Sequence, residues 1–173
     1  MNLIQIYQGE IPEQLTPCMW SWDFCERKLY TEIPEKYLSG GVSPRIASNY
    51  YRIDLMIEHP QSIYADCDTR VLDPDALTAL EGKPFFVLPY CDYCFGFIPV
   101  EFLQRMREIM GSPQDHPFEE ARVYHAVKRI FMEDFTLSGE SIYKMWLLEK
   151  SKYRDWFLPA GIIEHLNFSR SKL

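Results

Sequence analysis

Residues 45–72 read RIASNYYRIDLMIEHPQSIYADCDTRVL: a helix, a turn, and a short strand that ends in two aspartates. Just ahead of it, Ser43 offers a side-chain oxygen to the first unpaired backbone N–H groups, and Pro44 has the backbone angle of a first helical residue. Ile46, Tyr50, Ile53 and Ile57 recur at helical spacing and form one apolar stripe. Arg45, Asn49 and Arg52 fall on an adjacent flank, which predicts a polar edge beside the buried face. His59-Pro60 stops the helix, because proline disfavours helical angles in the residue before it. Ser62-Ile63-Tyr64-Ala65 is short, mostly apolar and suits a strand. Asp66 and Asp68 follow two residues apart, and in extended chain their carboxylates point the same way. Two acids aimed at one spot repel each other unless a cation lies there. A hard divalent ion with oxygen ligands answers that need.

These residues resemble the DXD region of GT-A glycosyltransferases. The closest pattern is that of the small retaining family of yeast-type mannosyltransferases, capsular polysaccharide transferases and large clostridial toxin catalytic domains. It runs from a serine and an acid, through an arginine on an apolar helix and a glycine pair, to an apolar–aromatic pair and D-x-D. Ser48, Arg52, Ile63-Tyr64 and Asp66-Cys67-Asp68 follow it in order and spacing. Asn49 stands in place of the acid and Pro60-Gln61 in place of the glycines. The amide differs in kind, since it can donate a hydrogen bond where a carboxylate only accepts.

The resemblance extends to both ends of the chain. Ile4-Gln5-Ile6-Tyr7-Gln8-Gly9, Pro12 and Cys18-Met19-Trp20-Ser21-Trp22 echo the family's opening strand, loop and helix, with Gln5 replacing a histidine. His165, Asn167, Ser169 and Lys172 echo its closing segment, without the family's terminal tryptophan. What the resemblance implies is an α/β fold: a GT-A-like central mixed sheet flanked by helices, in one minimal domain over residues 1–173. It implies a hexosyltransferase-like enzyme moving a sugar, with retention, from a nucleoside-diphosphate-sugar to an acceptor the sequence does not identify. Mn²⁺ or Mg²⁺ would be held by Asp66, Asp68, His165 and Asn167. The donor sugar would meet Ser48, Asn49, Arg52 and Asp66. The nucleotide would meet Gln5, Ile6, Tyr7, Ser169 and Lys172, and Asp92 would face the acceptor. A chain this short leaves two arrangements for the acceptor: an open site, or one completed by a second subunit of a homo-oligomer.

Composition narrows the class. With 47% apolar and 15% aromatic residues in 173, the chain can bury a core of its own. The net charge of −7 argues against general nucleic-acid binding, which needs cations along the phosphates. No stretch reaches the roughly 20 apolar residues of a membrane span. The opening MNLIQIYQGE lacks a basic segment before an apolar core, so no secretion signal is expected. Five cysteines without framework spacing suit a reducing, cytoplasmic setting. Cys91 and Cys94 are expected to be core cysteines, as no second pair or nearby histidines complete a zinc site.

Elsewhere the pattern predicts strands at 2–7, 28–30, 84–88, within 89–98 and at 156–159. Helices are expected at 18–22, 75–80, 99–110, 117–134 and 138–150. Two other functions fit D-x-D after an apolar strand. A haloacid-dehalogenase-like phosphatase would use the first aspartate as nucleophile, but it expects a small residue where Thr69-Arg70 stands and a strand near the N-terminus. A non-catalytic nucleotide-sugar-binding protein would keep the fold without the reaction.

Overall fold

In the computed structural model, residues 1–87, 93–117, 122–133 and 153–166 are described. In chain order the elements are β1 (Asn2–Ile6), α1 (Thr16–Trp20), β2 (Glu26–Tyr30), α2 (Glu35–Leu38), α3 (Pro44–Glu58), β3 (Ser62–Ala65) and β4 (Thr69–Val71). Then follow α4 (Pro74–Thr78), β5 (Phe85–Phe86), β6 (Cys94–Gly96), α5 (Val100–Met110), α6 (Arg122–Glu133) and β7 (Ile163–His165). The result is a mixed α/β fold. Its main sheet has five strands in the order β2-β1-β3-β6-β5, and β4 and β7 form a separate two-stranded ribbon. The strands β2, β1 and β3 are parallel, and β6 runs antiparallel to both β3 and β5.

Side-chain alternation divides the core into two layers. Ile4, Ile6, Tyr64, Phe86 and Phe95 face α3, α5 and α6, where Tyr50, Ile53, Leu103, Met106, Val127 and Phe131 meet them. Leu3, Ile63, Ala65, Phe85 and Cys94 face the other way, onto Trp22, Leu77 and the ribbon residues Val71 and Ile163. Both faces of the sheet are thus covered, as expected for parallel strands that are apolar on both sides. The chain leaves β1 for β2 on one side and returns past β1 to β3 on the other. Right-handed crossovers in opposite directions require the connecting segments to lie on opposite faces; Trp22 and α3 do so. Among the described residues, no helix is long and apolar enough to cross a membrane.

The central helix forms where the spacing predicts it, with Ser43 Oγ accepting the N–H of Ile46 at 3.3 Å. Its flank is a correction to the sequence reading. Asn49 and Arg52 are not on a solvated edge but are 4% and 6% exposed. Arg52 turns toward the end of β3, where Asp66 offsets its charge. The strand expected at 156–159 is also corrected. A short 3-10 turn covers Arg154–Trp156, and only Phe157 makes a sheet bridge, to Phe86. Tyr153, Trp156 and Phe157 all gather around Phe86, Phe102 and Phe131. A turn can bring three nearby rings to one cluster; an extended strand would send alternate rings to opposite faces. The helix expected at 138–150 lies outside the described residues.

Away from the sheet, Asp54 on α3 ties two helices down. It accepts the hydroxyl of Tyr37 at 2.6 Å and the Nε–H of Arg107 at 2.8 Å. Burial first, and then the bond to Asp54, push the Tyr37 phenol well above its ordinary value of 10.0. A group whose folded pKa is raised gives its full stabilisation below the unfolded value and loses it as pH rises toward the folded one. Tyr37→Phe is therefore expected to cost about 1 kcal/mol at pH 8. Its urea midpoint should fall less than that of the parent between pH 8 and pH values above 10. Parallel losses in the two proteins would refute the account.

A second prediction concerns the seam between β3 and β6. A Cβ on Gly96 would lie 2.7 Å from Phe85 Cε1 and 2.9 Å from Ile63 Cγ1. Both neighbours are fully buried, so neither can swing aside. Gly96→Ala should destabilise by about 1–3 kcal/mol, the usual cost of overpacking, read from equilibrium unfolding in urea.

Candidate functional site

The three parallel strands end at one edge of the sheet, and the chain departs from β1 and β3 in opposite directions. In open α/β sheets the carboxyl ends of strands at such a switch point are where a ligand site is expected. Asp66 is the first residue past β3. Its N–H donates to Tyr93 O at 2.8 Å, and its carbonyl accepts the N–H of Thr69 at 3.0 Å. The second bond corrects the expected geometry: the two carboxylates converge through a tight turn, not along an extended strand. Cys67 at the turn's centre is buried, and its thiol points to Ile6 O at 3.8 Å.

The other side of the cluster comes from the far end of the chain. β4 and β7 pair antiparallel with Thr69 opposite His165, and Leu166 N–H donates to Asp68 O at 3.0 Å. This brings His165 Nε2 within 3.0 Å of Asp68 Oδ1. One ligand atom from each of Asp66, Asp68 and His165 lies within 4.8 Å of the others. Two ligands at right angles around an ion with ~2.1 Å bonds stand about 3 Å apart, which is the Asp68–His165 spacing. Carboxylates suit Mn²⁺ or Mg²⁺ and an imidazole is commoner on softer ions, so this donor set could hold a metal ion without selecting which. The ribbon itself is docked by Trp22 Nε1–H on Thr69 O at 2.9 Å, and by Val71 N–H on Ser21 Oγ at 3.0 Å.

Arg52 completes the group from α3. Its NH1 lies 3.5 Å from Asp66 Oδ1, and its Nε–H donates to Ser48 O at 3.3 Å. The guanidinium rests on the ring of Tyr64, 4.6 Å from the centroid. The Tyr64 hydroxyl donates to the same Asp66 oxygen at 2.5 Å. Tyr64 is 1% exposed, and burial above all holds its phenol protonated, so it can serve as that donor. Cys67 stays protonated too: burial, then the charges of Asp66 and Asp68, push its thiol up to about 12. That removes it as a thiolate ligand or nucleophile near neutral pH. Cys94 is fully buried with its pKa raised by burial, as expected of a core cysteine; Cys91 lies outside the described residues.

Of the residues expected at the site, the structure brings together Asp66, Asp68, His165 and Arg52. Asn49 is buried on the same helix. Ser48 is half-buried, and its hydroxyl donates back into its own helix, to Arg45 O at 2.8 Å. Tyr7 is half-buried, with its N–H on Tyr30 O at 2.9 Å, and Ile6 is a core residue. Gln5 departs from the expected nucleotide contact. It is fully enclosed on the Trp22 side of the sheet, and neither amide atom has a hydrogen-bond partner among the described residues. Asp92, Asn167, Ser169 and Lys172 lie outside the described residues.

Two contributors went unassigned in the sequence. Tyr64 sits two residues before Asp66, a spacing that puts a strand-end hydroxyl on the side of the acid, so the signal was present. Tyr93 stacks flat on His165, and nothing local links residues so distant in the chain. No family model, curated protein or solved structure matches this chain.

Gln5 allows a direct check. An unpaired buried polar group costs about 1–3 kcal/mol, and methionine nearly conserves glutamine's volume. Gln5→Met should leave the urea midpoint unchanged or raise it. A marked fall would identify a buried partner for the amide, such as an ordered water.

Proposed function

We propose that the chain is a small metal-dependent glycosyltransferase of GT-A type, which moves a sugar from a nucleoside-diphosphate-sugar to an acceptor. The observation that carries the reading is the meeting of Asp66, Asp68, His165 and Arg52 where β1 and β3 part. Asp68 and His165, with Asp66 beside them, would hold Mn²⁺ or Mg²⁺, which when bound supplies positive charge to the departing diphosphate. Asp66 has a second task. Tyr64 and Arg52 fix one of its oxygens, so the carboxylate can accept from a sugar hydroxyl without reorganising. Arg52 is always charged and presents a planar fork of donors, suited to sugar hydroxyls or a phosphate oxygen. Its contact with the Tyr64 ring and with Ser48 O holds that fork in place before any ligand arrives. Asn49, on the same face of α3, would reach a further hydroxyl.

The phosphatase reading is weaker on the same geometry. A nucleophilic Asp66 needs its charge available, yet a buried phenol and a guanidinium both draw on it.

The test uses the full chain with a panel of UDP- and GDP-sugars, each with and without Mn²⁺. A donor at a hundred times its Kd should add about 2.7 kcal/mol of stability. For a chain of this size that raises Tm by roughly 5–10 °C. Metal-dependent release of the sugar should accompany the shift, and Asp68→Ala should slow release by about 100-fold or more. Stabilisation without release would favour a binding protein. No stabilisation by any donor, or full activity in Asp68→Ala, would end the proposal.

A further inference from the structure

The proposed metal-holding group is divided between two sheets. Asp66 continues the main sheet, whereas His165 belongs to the ribbon. Tyr93 touches both. Its carbonyl accepts the N–H of Asp66 at 2.8 Å, and its ring lies on the imidazole of His165, with centroids 4.5 Å apart and planes 8° from parallel. Tyr93 is 5% exposed and packs among the core residues beneath the ribbon, so its own ring has little freedom.

A histidine's ring torsion is broad and roughly two-fold, and a strand fixes its Cβ without fixing its plane. The flat contact with Tyr93 fixes the plane. The approach of Nε2 to Asp68 at 3.0 Å then fixes the direction within it. We propose that Tyr93 is a positioning residue for His165: its ring holds the imidazole so that Nε2 stays aimed between Asp66 and Asp68. The inference rests on the metal-holding role proposed above. Groups that orient a metal-binding histidine commonly contribute ~10–100-fold in affinity. That role separates Tyr93 from a residue that merely fills the core, because its effect must pass through the imidazole.

The probe is Mn²⁺ alone, titrated into the full chain and followed by the magnetic-resonance signal of the free ion. Tyr93→Phe, which keeps the ring, should bind as the parent does. Tyr93→Leu should bind ~10–100-fold more weakly, while its backbone bond to Asp66 is retained. In a His165→Ala background the same leucine substitution should cause no further loss, the double-mutant signature of action through one partner. Without metal, the ring-proton resonances of His165, shifted upfield by the stacked ring, should move downfield in Tyr93→Leu. The proposal is overturned by parental affinity in Tyr93→Leu, by an equal loss in Tyr93→Phe, or by an undiminished effect in the His165→Ala background. A parent chain that binds no Mn²⁺ refutes the metal reading and this inference together, and is thereby distinguished from failure of the tyrosine's role alone.

Discussion

Charge compensation at the end of β3 is the constraint on which the rest of the arrangement depends. Asp66 and Asp68 are forced to one side by the turn that joins β3 to β4. At ~4 Å, two such charges repel by about 4 kcal/mol at the effective dielectric typical of protein sites. That is a large part of a domain's net stability of roughly 5–15 kcal/mol. Each carboxylate has its own neighbour: the Arg52 guanidinium offsets the charge of Asp66, and the His165 ring lies within hydrogen-bond reach of Asp68. The dependence is mutual. Arg52 is almost wholly buried, and removing its acid would leave an uncompensated charge inside, which costs more than the pair gains.

The topology explains why these partners meet. α3, the helix of the return crossing past β1, runs back along β3 and places Arg52 at that strand's carboxyl end, beside Asp66. The ribbon closes the far side, drawing in His165 from nearly a hundred residues away. Among the described residues, an indole N–H on Thr69 O and a serine oxygen under Val71 dock it, while the Arg70–Glu164 pair at 3.0 Å joins its own two strands. The last is substantially exposed, so it adds little by itself. Burial of Trp22, Val71 and Ile163 in the second core layer must supply most of the attachment.

Much of this was legible in the chain. Helical spacing from Ile46 to Ile57, the Ser43-Pro44 start and the apolar runs at 2–7 and 62–65 are local signals, and they yield α3, β1 and β3 close to their observed bounds. β4 and β7 were not recognised, because three residues carry no measurable periodicity and exist as strands only by pairing with each other. The burial of Arg52 ran against ordinary expectation for an arginine; only the partner across the fold explains it. Gln5 is the opposite case: a polar residue on an apolar strand invites a functional reading, and alternation places it on the same face as Leu3, where it is fully buried. Local chemistry showed which groups were present; long-range pairing decided which of them meet.

The charge balance at the cluster also bears on how a donor would have to bind. The described groups there are two carboxylates, one guanidinium and one imidazole, negative in sum when the imidazole is neutral, as a metal ligand must be, and set in a chain of net charge −7. A nucleoside diphosphate brings further negative charge into that setting. Arg52 cannot neutralise it alone while it also answers Asp66. A divalent cation would change the sign of the balance, and it would satisfy the carboxylates at the same time. Under the proposed function, metal and donor are therefore thermodynamically linked: each raises the affinity of the other by the same factor. Asp66 and Asp68 are then more than ligands. Under that proposal their convergence would make the metal-free site poor at holding an anion, and the diphosphate would enter with its cation and not without it.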